Sequence, residues 1–569
     1  MKIYNIVLFN VFFLFFCLSD TKAQNFENSP FGFHPAHVNK PGYPDNGFID
    51  AQNIGVKWQR GPAYVFWFLV QPDTNQSIYD FTMYDNIFNS IPEGINTLSN
   101  IGPQGHIDEG YCLPNSHLPA DSLKYVNFVK ATVERYDGDT IDDMPELTNP
   151  IKYWQVGNEP PGGKSDFSRL QKMTYLAIKE ACPDCQVLIG GVGGFPDNYI
   201  SDFLSLYLPI IQDLNGEAID IFDFHWYGTA TGDYRLCGVV SDTIKTKLEE
   251  NEFNDIPVWI TEMGSYSGDP DDTMFGPLPY QTEQQQAYDY LKRFVYPLSI
   301  GIEKIFPAFG IMEGFMYDDG YFDYTGLIYD GWGSYDLDLG VKKLGYYTYK
   351  LMTEKLEGSD WGNIQTVING TDNVYAYKLT KVGGDSAVYV VWWDFFNDPS
   401  YTEGDNKLVY LPVGSVDSVL VTESVPDAEN GSLLDENNYP DFFTKEIKQT
   451  SGDSIELILG ENPFFVEEYF LLNSTVDETS FSKKTLLAQN FPNPFNSVTN
   501  INFTLSNAGK VKLTIYNSIG IQIAVLLDDK LSSGSYTVEF NADKLTTGVY
   551  IYRLSTEGMN HYKKCILIK

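Results

Sequence analysis

From about residue 30 to 357, short apolar runs alternate with longer stretches of helical period. Asn53–Trp58, Asn96–Ile101, Ile151–Val156, Gln186–Gly190, Ile219–His225, Pro257–Thr261 and Lys304–Phe309 are strand-like and nearly continuous in apolar residues. Between them, Asp121–Arg135 sets Leu123, Val126, Val129 and Val133 three or four residues apart, the spacing of one helix face. Phe167–Ala181 and Gln281–Val295 read the same way. Strands that are apolar on both faces, each followed by a helix, need cover on both sides, which points to a parallel sheet. Over about 330 residues the pattern predicts a (β/α)8 barrel within an α/β chain. A doubly wound sheet is the alternative. It lacks its dinucleotide fingerprint, because Gly190-Gly191-Val192-Gly193-Gly194 follows a strand with the wrong spacing.

After Leu356 the period changes to two. Val374–Leu379, Ala387–Trp393, Lys407–Leu411, Val416–Val421, Ser454–Leu459 and Phe464–Leu472 are short, strand-like and separated by turn residues. Residues 358–472 are therefore expected to form an all-β sandwich. Residues 473–485 are polar and read as a linker. Residues 486–569 hold a third set of strands, at Thr499–Leu505, Lys510–Tyr516, Gln522–Leu527, Gly534–Asn541 and Gly548–Ser555.

The first 23 residues read as a secretory signal peptide. Lys2 is followed by the uncharged run Ile6–Leu18 and by Thr21-Lys22-Ala23, with cleavage expected after Ala23. That run falls short of the ~20 residues a membrane span needs, and no later stretch reaches it. Export changes the reading of the cysteines. Five remain after cleavage, and Cys182-Pro-Asp-Cys185 is expected to close a local disulfide rather than serve redox or zinc chemistry. The charge is lopsided, with 76 acidic against 38 basic residues and a net −38. Such a chain is repelled by phosphate backbones and anionic membrane surfaces, which excludes nucleic acid as the expected partner. Aromatic residues reach 15%, enough for large cores and for surfaces that stack on flat ligands.

Two carboxylates carry the candidate chemistry. Glu159 closes Tyr153-Trp154-Gln155-Val156-Gly157-Asn158-Glu159-Pro160, just after a strand. Glu262 closes Pro257-Val258-Trp259-Ile260-Thr261-Glu262, also on a strand. In a parallel barrel, the C-terminal ends of the strands share one mouth. Two carboxyls facing each other there suit glycoside hydrolysis, where one must be neutral to protonate the leaving oxygen and the other ionised. No His/Cys cluster fits a catalytic metal, and no metal or cofactor is expected. The acidic residues after Tyr317 (Asp318, Asp319, Asp323, Asp330, Asp336, Asp338) do not match an EF-hand loop and read as a solvated acidic loop.

With Asn158-Glu159-Pro160 after the fourth strand, residues 30–357 resemble the retaining glycoside hydrolases of clan A, in particular families 5 and 39. The resemblance implies that Glu159 is the acid/base and Glu262 the nucleophile. It also implies that Asn158 bonds the sugar 2-hydroxyl. His225-Trp226-Tyr227 is similar to the family 5 element in which the His lines the subsite and the Tyr holds the nucleophile. Arg60, after the second strand, is placed like the arginine that keeps the nucleophile ionised. His106, in Gly102-Pro103-Gln104-Gly105-His106, is expected to line the cleft. Where the clan carries a Trp after strand eight, this chain has Phe306-Pro307-Ala308-Phe309-Gly310, and Trp332 is expected to supply the ring.

The last segment resembles the type A C-terminal sorting domain of type IX secretion. The matching residues are Leu487-Ala488-Gln489-Asn490-Phe491-Pro492-Asn493-Pro494-Phe495-Asn496, Thr499-Asn500-Ile501, Leu513-Thr514-Ile515-Tyr516-Asn517, Leu545-Thr546-Thr547-Gly548-Val549-Tyr550 and Lys563-Lys564. That resemblance implies the type IX machinery as a partner, export across an outer membrane, and attachment to the cell surface or release. Taken together, the chain reads as an exported retaining glycosidase acting on a poly- or oligosaccharide. A non-catalytic carbohydrate-binding or adhesion protein on the same barrel, or a transglycosylase, stands as the alternative.

Overall fold

In a computed structural model of the chain, the described residues are 26–43, 47–104, 109–160, 166–194, 198–271, 276–316, 319–332, 336–384, 386–468, 486–487, 490, 495–505, 508–517, 522–556, 559–567 and 569. The signal-peptide segment, the linker 473–485 and His106 lie outside them. The chain divides into two units, Met1–Leu471 and Leu472–Lys569.

The first unit begins with parallel strands β1 (Gly32–Phe33), β2 (Trp58–Phe66), β3 (Asn96–Gly102), β4 (Tyr153–Val156), β5 (Gln186–Leu188), β6 (Phe222–Trp226), β7 (Val258–Met263) and β8 (Ile302–Pro307). A helix follows each strand in turn: α1 (Ile49–Asn53), α2 (Thr82–Asn89), α3 (Ser122–Tyr136), α4 (Phe167–Ala181), α5 (Leu208–Leu214), α6 (Leu236–Glu249), α7 (Glu283–Ser299) and α8 (Leu344–Leu356). Strands β1 to β5 form one sheet in sequence order and β6 to β8 another. Isolated parallel bridges join the two at both margins. Leu188 meets Ile221 and Val192 meets Phe224 on one side, while Phe31 meets Ile305 and His34 meets Ala308 on the other.

Local chemistry fixes these elements. Thr282 and Gln285 make a reciprocal capping box at the start of α7, and the Asp121 side chain accepts from Lys124 N at the start of α3. Trp58, Leu98, Leu188, Ile221, Trp259 and Phe306, from or beside six of these strands, pack together as one buried apolar cluster.

One expected strand is displaced. Asn53 ends a helix, Gly55 turns at φ +81°, and β2 starts only at Trp58, paired with Asn96. The strand then runs through an irregularity between Arg60 and Tyr64. Arg60 therefore lies inside β2 and not after it. The five-residue α1 buries Ala51, next to the buried Ile54 and Val56, and a helix that short leaves no period distinct from a strand.

Antiparallel strands follow: β9 (Gln365–Asn369), β10 (Val374–Thr380), β11 (Ala387–Trp393), β12 (Lys407–Pro412), β13 (Ser418–Glu423), β14 (Lys445–Gln449), β15 (Ser454–Leu459) and β16 (Phe464–Glu468). Six of them form a sheet in the order β14-β13-β16-β11-β10-β9, and β12 pairs with β15. Period two divides the large sheet between two cores. Tyr375, Tyr377, Val388, Val390 and Trp392 join the core of the α/β part. Their neighbours Val374, Ala376, Tyr389, Val391 and Trp393 pack with Leu411, Leu457 and Leu459 of the β12–β15 pair. Trp392 Nε1 donates to the Tyr234 hydroxyl at 2.7 Å, so the two parts share buried polar contacts as well.

The second unit has a three-stranded sheet, β17 (Leu486–Leu487), β18 (Val498–Leu505) and β21 (Gly534–Asn541), in the order β17-β18-β21. A four-stranded sheet runs β20 (Gln522–Leu531), β19 (Gly509–Asn517), β22 (Gly548–Thr556) and β23 (Met559–Leu567). Ile501, Phe503, Leu513, Ile515, Phe540, Tyr552 and Leu554 form the core between them.

Candidate active site

Arg60 within β2 and the ends of β4, β6 and β7 meet in one buried polar cluster. Arg60, fully buried, is its hub. Its Nε donates to Gln155 Oε1 at 2.7 Å, its Nη2 to Asn158 Oδ1 at 2.5 Å, and its Nη1 to Glu262 Oε1. The Tyr227 hydroxyl donates to the other Glu262 oxygen, Oε2. His225 Nδ1 lies 2.6 Å from Glu159 Oε1 and 3.2 Å from Glu262 Oε2, so one imidazole bridges both carboxyls. Facing atoms of Glu159, His225 and Glu262 all lie within 4.8 Å of one another.

A second layer holds the first. Gln155 Oε1 also accepts from Asn100 Nδ2 at 2.7 Å, and Gln155 Nε2 donates to Asp223 Oδ2 at 2.5 Å. The Thr261 hydroxyl donates to the same Asp223 oxygen at 2.7 Å. Burial pushes the Asp223 carboxyl up to about 6, against the pull of the Thr261 bond and the His225 and Arg60 charges.

The two carboxyls differ in environment. The Glu262 side chain is 3% exposed and that of Glu159 is 42% exposed. Burial alone raises the Glu262 carboxyl. The charges of His225, Arg60 and His34 and the Tyr227 hydroxyl outweigh it and hold the pKa down at about 2. For His225 burial works against the charged ring, but Glu262 and Glu159 outweigh it and raise the pKa above the usual value. Burial, then the two carboxylates, push the Tyr227 phenol up, so it stays a donor.

Glycines make room for this arrangement. A Cβ on Gly193 would stand 2.3 Å from Glu159 Oε1, and one on Gly191 would stand 2.3 Å from His225 Nε2. The Gly190–Gly194 run after β5, which fails as a dinucleotide loop, is thus the wall against which Glu159 and His225 rest. Glu159 itself holds a left-handed backbone at φ +40°, a conformation that costs a non-glycine residue of order 1 kcal/mol.

The carboxyls open into a cavity of about 370 Å³, lined also by Asn158, Tyr207, Tyr227, Phe309, Phe315, Met316 and Phe322. The Phe309 and Phe315 rings stack at 4.1 Å and 12°. One side of the cavity is thus aromatic and the other carries the polar cluster.

Comparison with known proteins bears on both units. Residues 489–569 match the family described as the secretion system C-terminal sorting domain. That tail is a sorting domain, and it marks the chain for export. The structure is similar to that of a family 39 glycoside hydrolase from the gut symbiont Bacteroides cellulosilyticus WH2, at 17% identity and a TM-score of 0.54, over 77% of this chain and 81% of that one. It is also similar to a glucosidase from Croceicoccus marinus, at 15% identity and a TM-score of 0.51, over 77% and 94%. At such identities the likeness is one of fold.

The structure brings together Glu159, Glu262, Asn158, His225, Tyr227 and Arg60. It does not bring Trp332 to the cavity lining formed by the described residues. That side chain is half-exposed, and Phe309, Phe315 and Phe322 form the aromatic wall. Trp58, Trp67, Trp154, Trp226 and Trp259 are all buried in cores. Cys182 and Cys185 are joined by a disulfide. The loop after β8 is less solvated than expected. Asp323 and Asp330 are buried, Asp330 pairs with Lys40, and Asp323 Oδ1 accepts from Met316 N at 2.6 Å.

Gln155, Asn100, Asp223 and His34 escaped the sequence reading, although each is a polar residue in or beside an apolar strand, which was the available signal. Among the described residues, two groups of acidic and His side chains are close enough to hold an ion. One is the Glu159–His225–Glu262 trio, and the other is the acidic turn Asp137, Asp139 and Asp143. The carboxyls of the trio are already engaged by Arg60, Tyr227 and His225. No helix among the described residues is long and apolar enough to cross a membrane.

Proposed function

We propose that this chain is an exported retaining glycosidase that cleaves β-glycosidic bonds of a poly- or oligosaccharide by double displacement. The observation that carries the reading is the pairing of Glu159 and Glu262 at the ends of β4 and β7, one carboxyl buried and held ionised and the other on the open side, with their nearest oxygens within 4.8 Å. Retaining enzymes hold their carboxyls ~5–5.5 Å apart, whereas inverting ones leave ~6.5–9.5 Å for a water.

In this reading Glu262 attacks the anomeric carbon. It is kept ionised by Arg60 and aimed by Tyr227. Glu159, on the open side of the pair, protonates the departing oxygen and then takes a proton from the incoming water. His225 Nδ1 lies 2.6 Å from that carboxyl and holds its position. Asn158 spends its oxygen on Arg60, which leaves its Nδ2 hydrogens for a sugar hydroxyl.

The domain reading accompanies this one. The signal peptide is 1–23. The eight parallel strands of residues 25–357 close as one (β/α)8 barrel, and 358–472 form a β-sandwich that props it. After the linker 473–485, residues 486–569 fold as an immunoglobulin-like sandwich read by the type IX machinery. His106 remains a candidate for the cleft beside β3.

The deciding experiment is a product profile on β-linked polysaccharides and 4-nitrophenyl glycosides, for wild type and Glu262→Ala. We expect hydrolysis by wild type only, with NMR showing the β-anomer released first. Identical behaviour of the two proteins on every substrate leaves the binding-protein alternative. Inversion at the anomeric centre sinks the double displacement, and sugar-capped products make the chain a transglycosylase.

A further inference from the structure

Four buried polar atoms of the cluster, His34 Nε2, His225 Nε2, Asp223 Oδ1 and Asn100 Oδ1, have no hydrogen-bond partner among the described residues, and the first of them faces Glu262. His34 stands directly after β1 and is 6% exposed. Its Nδ1 lies 2.6 Å from the Arg60 carbonyl oxygen. A carbonyl only accepts, so Nδ1 carries the proton and Nε2 of the neutral ring is a bare lone pair. Burial first, then the Arg60 charge, hold the ring neutral by lowering its pKa to about 3. Nε2 is buried without a hydrogen-bond partner.

That lone pair lies 3.6 Å from Glu262 Oε1. Glu262 is ionised, so two acceptors face each other, one lining the cavity and one just behind its wall. The arrangement is unfavourable, and an unmet buried acceptor carries a desolvation penalty. A donor that reaches both atoms relieves it. Glu262 lines the cavity, and a hydroxyl bonded to its Oε1 comes within reach of Nε2, 3.6 Å from that oxygen. The ring cannot turn away. Phe309, which lines the cavity, packs at 5.2 Å on one side, and Tyr64 lies nearly parallel at 6.4 Å. The Nδ1 bond to the β2 backbone fixes which edge faces Glu262.

We propose that His34 Nε2 accepts a hydrogen bond from a hydroxyl of the sugar unit seated on Glu262, and so selects sugars with a free hydroxyl at that position. The inference rests on the glycosidase reading and names one determinant of its specificity. A neutral acceptor welcomes a hydroxyl hydrogen. It rejects an analogue with hydrogen, fluorine or an ether oxygen there, because the lone pair then stays unpaired.

The test uses the full mature chain and 4-nitrophenyl mono- and oligosaccharides. On whichever parent the wild type turns over, kcat/KM is compared with that of its singly deoxygenated analogues. His34→Asn keeps an N–H for the Arg60 carbonyl and removes the lone pair. His34→Gln can set an amide oxygen where Nε2 stands. We expect wild type to disfavour one deoxy analogue by at least tenfold beyond the others. That extra factor should vanish in His34→Asn and return in part in His34→Gln. A discrimination pattern identical in all three proteins overturns the role of His34 while leaving the glycosidase reading intact. A wild type inactive on every saccharide overturns the glycosidase reading itself. A merely structural role for His34 lowers kcat/KM for all analogues alike. Independently, nitrogen NMR at pH 7 should show His34 as the neutral Nδ1–H tautomer, and a protonated Nε2 overturns the proposal without recourse to activity.

Discussion

Replacing Gly193 by Ala tests the site through a single methyl group. Gly193 does not hold a positive φ, so its backbone accepts a side chain, and the cost falls on whatever the methyl meets. The added Cβ would stand 2.3 Å from Glu159 Oε1, 2.5 Å from its Cδ and 3.1 Å from its Cγ. Ordinary carbon–oxygen contact is about 1 Å longer than the first of these distances, so the carboxyl must move by about that much. It cannot retreat while keeping its 2.6 Å contact with His225, because that imidazole is fully buried. A displacement of about 1 Å in a positioned catalytic group costs roughly 10²-fold, about 2.7 kcal/mol of barrier.

The loss should fall on the acid/base step. Gly193→Ala should lower kcat/KM about 10²-fold on natural linkages, whose alkoxide leaving groups need a proton. It should lower kcat/KM less than about tenfold on 2,4-dinitrophenyl glycosides, which leave unaided, while kcat there falls further because the water step also uses Glu159. The thermal midpoint should stay near that of wild type, since Glu159 is the half-exposed member of the pair. Steady-state kinetics on both substrate classes, with a melting curve, form the assay. Equal losses on both classes, or none, would refute the claim that the glycine wall positions Glu159.

Four further outcomes are expected. Tyr227→Phe removes the donor to Glu262 Oε2, so the carboxylate loses stabilisation of its ionised form and its pKa rises from about 2. The acid limb of kcat/KM should move up by about one to two pH units, the worth of one charge-assisted bond, and an unmoved limb counts against Glu262 as the ionised nucleophile. The same depressed carboxyl contributes stability that is present above the ordinary carboxylate range and lost as pH falls toward 2. Glu159→Ala should cost ~10²–10⁴-fold on natural linkages and far less on dinitrophenyl glycosides, and a uniform loss argues against its acid/base role. Trp392→Ala removes a fully buried ring and its bond to Tyr234, so it should destabilise residues 26–468 by about 3–5 kcal/mol in urea titrations. We expect one cooperative transition there; a separately melting β-module would show that the shared core is not continuous.

Much of this molecule is legible in its period alone. Phe167–Ala181 has the same bounds in sequence pattern and structure, because a fifteen-residue amphipathic helix repeats its apolar face four times. The switch from helical period to alternation after Leu356 announced the antiparallel strands, and the ends of β4 and β7 announced the two carboxylates. Short elements were not legible. β1 has two residues and α1 five, too few to show a period, and β9 and β14 carry mostly exposed edge positions with no apolar run. The reading of Arg60 suffered from the same cause, since a strand taken to end at Trp58 left it outside β2.

Sequence by itself determined which residue types stand at the strand ends, because covalent order along the chain fixes the side chains next to each strand. The tail is identifiable from its residues alone, as its family match at 489–569 shows. Only the tertiary structure decided the chemistry of those residues. Glu159 and Glu262 are 103 positions apart, and nothing local tells them that His225 bridges them or that Arg60 holds one and not the other. The five-residue glycine run carried no meaning until Glu159 and His225 were seen resting against it. His34 looked like any histidine until its bare Nε2 came to face Glu262. Ionisation, shielding and reach are properties of distances between remote segments, and those distances exist only once the sheets have brought the strand ends together.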